Sequence, residues 1–248
     1  MKTLFLIVIC YMSSLTFADS NIAIISDFDD TIKRSNISNH GQRMVGNSVL
    51  YKKLYYDMPI LLQQMEHDSS GLYIISASPK VIKPLIRASL KYSQLNYVSI
   101  FTRGYCDLFV SWPCKIPRNP SSPDVKVRYK ITKIESVLNS STNTGLILLG
   151  DNVEADHVVY NLVAKRNPGK VKAIYIRKVK EEALPLGIHG FYTAFDIAVK
   201  EYEVGRLNFN QVKTVANSIL DTPEDEMYQI IPYYGACPTD SDKYAKSN

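Results

Sequence analysis

Short apolar runs recur along this chain at intervals that leave room for a helix between neighbouring runs. They occupy residues 22–25, 72–75, 97–101, 146–149 and 171–176. Runs of this length with few polar interruptions are typical of strands in a buried parallel sheet. Helical patterns lie between them at residues 80–92, 129–138 and 155–165. The alternation predicts an α/β fold with a Rossmann-like parallel sheet and helices on both faces.

The two ends of the chain depart from this pattern. Residues 1–18 have a positively charged start, an apolar run over 4–12 and a small-x-small pattern ending at Ala18. This layout is typical of a secretory signal peptide. We therefore expect cleavage after Ala18 and export, to the periplasm or as a secreted protein; an uncleaved N-terminal anchor is the alternative. Residues 224–248 are polar and rich in Tyr and Pro, which predicts a tail after a domain over residues 19–223.

Composition narrows the class of protein without naming a function. The 248 residues are 46% hydrophobic and 21% charged, which excludes a disordered chain, a collagen-like fibre and a coiled coil. The formal net charge of +5 suits a phosphate-bearing substrate or an anionic membrane and does not decide about nucleic acid. We expect no nucleic acid as a structural partner. Cleavage would leave three cysteines, Cys106, Cys114 and Cys237. No two of them have the spacing typical of zinc ligands. The oligomeric state is not indicated.

Three carboxylates follow the first predicted strand directly. Residues 27–31 have the sequence Asp-Phe-Asp-Asp-Thr, and α/β proteins bind ligands at the carboxyl ends of such strands. Because like charges this close repel, we expect a cation there, and Mg²⁺ suits a site of few carboxylates, waters and a substrate phosphate. Asp27 and Asp29 are two residues apart and share one side of an extended chain, so one of them could attack a phosphorus atom while the other handles the proton of the leaving group. A solvated acidic turn is the alternative.

The fourth predicted strand ends in a second acidic pair. Residues 150–156 have the sequence Gly-Asp-Asn-Val-Glu-Ala-Asp and open a predicted helix. We expect Asp151 to be a direct ligand of the cation and Asp156 to act from further away or through water. The alternative for Asp151 is an aspartate that only caps the helix.

Groups that would hold a phosphate follow the second predicted strand and precede the fourth. Residues 76–79, Ser-Ala-Ser-Pro, stand before a predicted helix, where a hydroxyl and backbone N–H groups can bind phosphate. An ordinary serine N-cap is the alternative. A cation is expected to neutralise the phosphoryl group. At most one basic residue over 126–133 serves this purpose, because most charges on a helix face solvent.

The order of these motifs resembles the haloacid-dehalogenase superfamily of Mg²⁺-dependent phosphohydrolases. The resemblance implies Asp27 as nucleophile, Asp29 as general acid and base, and Ser76 as phosphate binder, with a lysine as the fourth element. Residues 150–156 are similar to that superfamily's Gly-Asp-x-x-x-x-Asp metal motif. The implied metal-binding residues are Asp27, Asp29, Asp151 and Asp156.

Four segments resemble a narrower group, the catalytic domain family of the actin-patch phosphatidate phosphatase. Residues 26–35 are similar to its Asp-x-Asp-Asp-Thr-Ile-Lys-x-Ser start, and residues 76–79 to its Ser-Asn-Ser-Pro. Residues 150–156 followed by Tyr160 are similar to its Gly-Asp-Ser-x-x-x-Asp and Tyr. Residues 168–177 follow its Pro-Gly-x-Val-x-Ala-Ile-x-Ile-Arg closely.

This narrower resemblance covers residues 22–179 and has two departures. By comparison with the family, Lys130 is the motif lysine, with Lys133 as the second choice. Ala77 stands where the family has Asn, and Asn152 stands where it has Ser.

Together these patterns and resemblances predict an exported Mg²⁺-dependent phosphomonoester hydrolase that works through an aspartyl-phosphate. The narrower resemblance implies a phospholipid such as phosphatidate as one substrate, with transient membrane-surface contact. The expected substrate-binding residues are Ser76, Ala77, Ser78, Lys130, Lys33 and Arg103. Residues 32–70 are expected to form a small cap insertion over the site. One alternative is a periplasmic phosphatase of soluble phosphomonoesters such as nucleotides. The other is a non-catalytic phosphate- or membrane-binding module.

Overall fold

The computed structural model describes residues 21–35, 51–67, 69–104, 123–140 and 143–223. The predicted signal peptide, the tail 224–248 and the three remaining cysteines lie outside these ranges, so what we predict for them stays a prediction. None of the helices in the described ranges combines the length and the apolar character that a membrane span requires.

Six parallel strands form one sheet in the described part of the chain. They are β1 (Ile22–Ser26), β2 (Leu72–Pro79), β3 (Ser99–Arg103), β4 (Gly145–Asp151), β5 (Val171–Arg177) and β6 (His189–Phe191). Their order is β3-β2-β1-β4-β5-β6, and every pairing is parallel. The predicted α/β fold is confirmed. β3 begins two residues later than the apolar run suggests, because Tyr97 and Val98 are exposed.

Helices cover both faces of the sheet. They are α1 (Asp57–Glu66), α2 (Lys83–Tyr92), α3 (Pro123–Leu138), α4 (Asp156–Arg166), α5 (Ala194–Glu203) and α6 (Phe209–Leu220), with a 3₁₀ turn at Lys80–Ile82. Helices α3 and α4 pack on one face, and the other four helices pack on the opposite face. Alternate residues of β1 supply the two cores: Ile22 and Ile24 face one, and Ala23 and Ile25 face the other.

Helix α1 belongs to the main core although it falls within the segment expected to be a cap. Its residues Met58, Leu61 and Leu62 are completely buried in the cluster beneath the sheet. Residues 36–50 of the same segment lie outside the described ranges, so a cap over the site stays a prediction.

The strand register brings the ends of three strands together. Ser26, the last residue of β1, lies beside Leu149 of β4 and Ile74 of β2. The residues that follow in each strand therefore emerge at one side of the sheet, which we call the carboxyl edge. Chain order also reverses between β1 and β4, and the crevice at such a switch point is where open α/β sheets bind ligands.

Candidate active site

Asp27 is the first residue beyond β1 and lies in the crevice between β1 and β4. Its backbone N–H donates to the Leu149 carbonyl at 2.8 Å, which keeps the chain in register for one more residue. The side chain is buried, and its Oδ1 accepts a hydrogen bond from the Lys130 Nζ at 2.9 Å. Sequence and register thus place a carboxylate in a pocket where its main polar contact is a lysine.

Asp151 and Asp156 lie beside Asp27, as expected for a shared cation site. One carboxylate oxygen from each of the three residues falls within 4.8 Å of the others, and all three side chains are buried. Asp151 also uses its Oδ1 to accept the backbone N–H groups of Val153 at 2.6 Å and Glu154 at 3.2 Å. Asp151 therefore does more than cap the start of the helix. One of its oxygens binds the backbone of the turn, and the residue also belongs to the acidic cluster.

Lys130 joins the cluster from α3. Its Nζ donates to Asp27 and, through a short hydrogen bond, to Asp156 Oδ1. Lys133 lies one turn further along α3, and its Nζ sits 5.7 Å from the centre of the Phe101 ring. Of the two lysines considered from sequence, Lys130 is the one that reaches the acidic cluster.

Negative charge exceeds positive charge in this cluster. Burial and the charges of Asp156 and Asp151 raise the pKa of Asp27 well above its ordinary value, and Lys130 opposes this only in part. Burial and the charge of Asp156 likewise raise the pKa of Asp151. Burial lowers the pKa of Lys130, but the carboxylates outweigh it and the net shift is upward. Three buried carboxylates around one ammonium are a donor set that suits a divalent cation.

Gly150 permits the close approach that brings Asp156 to the cluster. A β-carbon at position 150 would lie 2.7 Å from the Asp156 β-carbon and 2.8 Å from Tyr160 Cε2. The Tyr160 hydroxyl donates to the Leu149 carbonyl at 2.8 Å, which holds α4 against β4. The glycine of the motif is therefore a packing requirement of this helix and strand.

Asp29 lies apart from the acidic cluster and is held by two hydroxyl groups. Ser78 Oγ donates to its Oδ2 at 2.9 Å, and Ser35 Oγ donates to its Oδ1 through a short hydrogen bond. Asp30 turns the chain back to make this possible: its φ of 52° is left-handed, and its Oδ1 accepts the Ser35 N–H at 3.0 Å. Aspartate tolerates this conformation better than most residues.

The other expected substrate-binding residues are buried around the end of β2. Ser76 Oγ accepts the Ser78 N–H at 3.0 Å, and Arg103 Nε donates to the Ala77 carbonyl. Lys33 is also buried, and burial lowers its pKa while the charges of Asp29 and Asp30 oppose that shift. Arg103 and Lys33 thus belong to the packed wall of the carboxyl edge rather than to exposed surface.

Sequence reasoning assigned no role to several groups that the structure brings to the site. Ser35 enters only as a motif position, yet it contacts Asp29. Thr31 Oγ1 lies 3.5 Å from Asp151 Oδ2, and Glu154 lies 4.0 Å from Lys130 while pairing with Lys126 at 2.6 Å. The signal that could have identified Ser35, Thr31 and Glu154 is that each is a polar residue within one of the motif segments.

Asn152, where the chain departs from the family pattern, has a structural contact. Its Oδ1 accepts the N–H groups of Val179 at 2.8 Å and Lys180 at 3.0 Å, and its Nδ2 donates to the Lys180 carbonyl at 2.7 Å. These bonds tie the turn after β4 to the segment after β5.

Residues 22–178 match the family model described as the catalytic domain of phosphatidate phosphatase APP1. An uncharacterized protein of Schizosaccharomyces pombe is 26% identical over 178 residues, which is 69% of this chain and 28% of that protein. Phosphatidate phosphatase APP1 of Saccharomyces cerevisiae is 28% identical over 162 residues, 63% of this chain and 26% of that protein. The chain thus spans little more than a quarter of the length of these relatives. No solved structure gives a significant match.

Proposed function

This chain belongs to the family of the phosphatidate phosphatase APP1 catalytic domain, and on that premise we propose that it hydrolyses phosphate monoesters through a transient phosphoaspartate at Asp27. The observation that carries the proposal is the contact of the Lys130 ammonium with both Asp27 and Asp156 in a buried cluster at the carboxyl edge. A phosphatase must bring an anionic phosphate to a carboxylate nucleophile. A fixed, buried positive charge at that nucleophile makes the approach favourable.

In the proposed reaction, an oxygen of the Asp27 carboxylate attacks phosphorus in line with the departing oxygen. The new O–P bond forms as the bond to the leaving group breaks, and Asp29 gives its proton to the leaving oxygen. Asp29 then takes a proton from a water that attacks phosphorus, the bond between Asp27 and phosphorus breaks, and inorganic phosphate leaves. Both carboxyl groups return to their first state. This is the course of the haloacid-dehalogenase phosphohydrolases, whose motif order the chain resembles.

Lys130 and Ser76 are the proposed holders of the phosphoryl group. An ammonium group has three N–H donors, and the two hydrogen bonds of Lys130 go to Asp27 and Asp156. A phosphoryl oxygen would take a further donor. Ser76 lies buried at the end of β2, and because its oxygen accepts the Ser78 N–H, its own hydroxyl proton can be directed at a ligand.

The donor set of the acidic cluster fits Mg²⁺, which prefers oxygen ligands and retains waters and substrate phosphate in its coordination. Asp27 and Asp151, with the backbone carbonyl of Asp29, would hold the ion, while Asp156 is already engaged by Lys130. When bound, Mg²⁺ would neutralise the excess carboxylate charge and the charge of the phosphate.

Phosphate release from 4-nitrophenyl phosphate, with and without Mg²⁺, tests the proposal. We expect activity that chelation abolishes, and a loss of at least about 1,000-fold for Asp27→Asn, because the amide is a poor nucleophile and cannot form the phosphoaspartate. Asp29→Asn should retain phosphorylation of Asp27 by activated substrates and lose turnover of unactivated ones. Activity that survives both chelation and Asp27→Asn would contradict the proposal.

The substrate needs a separate comparison. Phosphatidate is the proposed natural substrate, supported by the family to which the chain belongs. Phosphatidate in mixed vesicles, nucleotides and sugar phosphates should be compared at equal phosphate concentration. A kcat/KM that is highest for nucleotides would favour the soluble-substrate alternative.

A further inference from the structure

A group of cationic side chains lies immediately beside the carboxyl edge, where β2 leads into α2. We define the α2 basic face as Lys80, Val81, Lys83 and Arg87. Lys80, Val81 and Arg87 are exposed and Lys83 is half-buried. Lys80 comes two residues after Ser78, so the Cα atoms of these two residues lie at most roughly 7 Å apart. The α2 basic face therefore borders the site in which Asp29 binds Ser78.

This face lacks acidic neighbours in the sequence. Residues 69–104 include three lysines and two arginines but neither aspartate nor glutamate. The ion pairs found among the described residues do not involve Lys80, Lys83 or Arg87. Burial of its stem, followed by the charges of Arg87 and Lys80, lowers the pKa of Lys83. The cations thus repel one another, and an anionic surface placed against them would relieve that repulsion.

An exposed apolar side chain belongs to the same stretch of chain as the cations. Val81, in the 3₁₀ turn, is 77% exposed, while Ile86 and Leu90 of the helix that follows are completely buried in the core. Basic residues next to an exposed apolar group are a combination by which proteins bind the interface of an anionic bilayer. The position of this group at the rim of a phosphate site favours a lipid surface over a soluble anion.

We propose that the α2 basic face docks this protein on anionic lipid bilayers, with the carboxyl edge of the sheet turned toward the lipid headgroups. The role of this docking rests on the phosphatase function proposed above. A headgroup phosphate could then enter the site beside Ser78 while the lipid stays in the membrane. Binding itself needs no turnover and can be measured separately.

Co-sedimentation of the full chain with vesicles, in the presence of a chelator, tests the docking. Phosphatidylcholine vesicles are compared with vesicles that also contain phosphatidylglycerol, so no substrate is present. Lys80→Gln, Lys83→Gln and Arg87→Gln combined should weaken partition to the anionic vesicles about 100-fold, on the order of fivefold for each cation lost. Val81→Asp should weaken it as well. The apolar run at residues 4–12 is common to all variants, and neutral vesicles report its contribution.

Lys170→Gln is the matched control. It removes the same charge from an exposed lysine, but Lys170 directly precedes β5, at the amino ends of the parallel strands and roughly 20 Å from the carboxyl edge, beyond the range of about 8–10 Å over which charges act at moderate salt. We expect a change below about twofold. Hydrolysis of 4-nitrophenyl phosphate should be unchanged in the triple variant, because none of its sites contacts the acidic cluster.

Several results would overturn the docking. They are equal binding of the wild type to neutral and anionic vesicles, full binding by the triple variant, and tighter binding of the same face to duplex DNA. An active phosphatase that fails to bind anionic vesicles would contradict the docking alone. An inactive wild type that binds them through this face would support the docking and contradict the proposed phosphatase mechanism.

Discussion

Replacement of Gly150 by alanine would test how the acidic cluster is assembled. The added β-carbon would lie 2.6 Å from Asp156 Oδ2, 2.7 Å from Asp156 Cβ and 2.8 Å from Tyr160 Cε2, whereas carbon atoms pack best at about 3.5–4.0 Å. Neither neighbour can swing away, because Asp156 is bound to Lys130 and the Tyr160 hydroxyl to the Leu149 carbonyl. Helix α4 must therefore move outward from β4 by on the order of 1 Å.

The size of the effect follows from this displacement. A methyl group forced into a packed interior costs about 1–3 kcal/mol, which lowers the Tm of a domain of this size by about 2–12 °C. The same shift draws Asp156 away from Lys130 and so moves the ammonium that contacts Asp27. Misplacement of a catalytic group by about 1 Å can cost about 100-fold in rate, and we expect a loss of kcat of that order.

Thermal unfolding and Mg²⁺-dependent phosphate release would be measured side by side for Gly150→Ala and Gly145→Ala. Gly145 begins the same strand, and its added β-carbon would meet chiefly the flexible Lys172 side chain, with Cε at 2.7 Å. Because Lys172 is exposed, it can move aside, so Tm should fall by less than about 2 °C and kcat should not change. Wild-type activity and stability in Gly150→Ala would refute the role of Gly150 in placing Asp156.

Three further predictions follow from the site. Lys130→Met should lower the free energy of unfolding, measured by chemical denaturation, by about 3–5 kcal/mol, because it leaves buried carboxylates without their cation. The control variant, Lys133→Met, should lower it by less than about 1 kcal/mol. Mg²⁺ should raise the Tm of the wild type through binding to the folded state alone, and Asp151→Asn should abolish the rise; an equal rise in both would contradict the assigned ligand. Ser35→Ala should lower kcat more for phenyl phosphate than for 4-nitrophenyl phosphate, because the poorer leaving group depends more on proton donation by Asp29; an equal loss for both substrates would indicate a purely structural serine.

Five of the six strands were predictable because each contains a short apolar run, and β1 shows the burial on both faces that such a run indicates. The helices after residue 181 were missed although the chain carries a local signal for them. Capping boxes mark both starts, Thr193 with Asp196 for α5 and Asn208 with Gln211 for α6. Strand β6 had no such signal, since only Phe191 of its three residues is buried.

The fold made the acidic cluster predictable, whereas the contacts around the cluster depend on local geometry. Asp27 and Asp151 follow strands that pair in the sheet, so the fold alone brings them to one edge. The choice between Lys130 and Lys133 depends on which side of α3 faces that edge, and pattern alone left it open. The contact of Ser35 with Asp29 depends on the left-handed turn at Asp30, which has no periodic signature.

The surroundings of the two leading carboxylates suit the different parts that we propose for them. Ser35 and Ser78 bind Asp29 with hydroxyl groups, and a hydroxyl can donate to a carboxylate or accept from a carboxylic acid. Asp29 can therefore keep both contacts as it gains and loses a proton, which a group that acts first as acid and then as base requires. Lys130, by contrast, offers Asp27 only N–H donors, so their contact is stronger when the carboxylate is ionised than when it is a neutral acid. The ionised carboxylate is the form that attacks phosphorus, so the ammonium of Lys130 suits the nucleophile. If the groups were exchanged, with a hydroxyl at position 130 and ammonium groups at positions 35 and 78, the contacts would suit neither role.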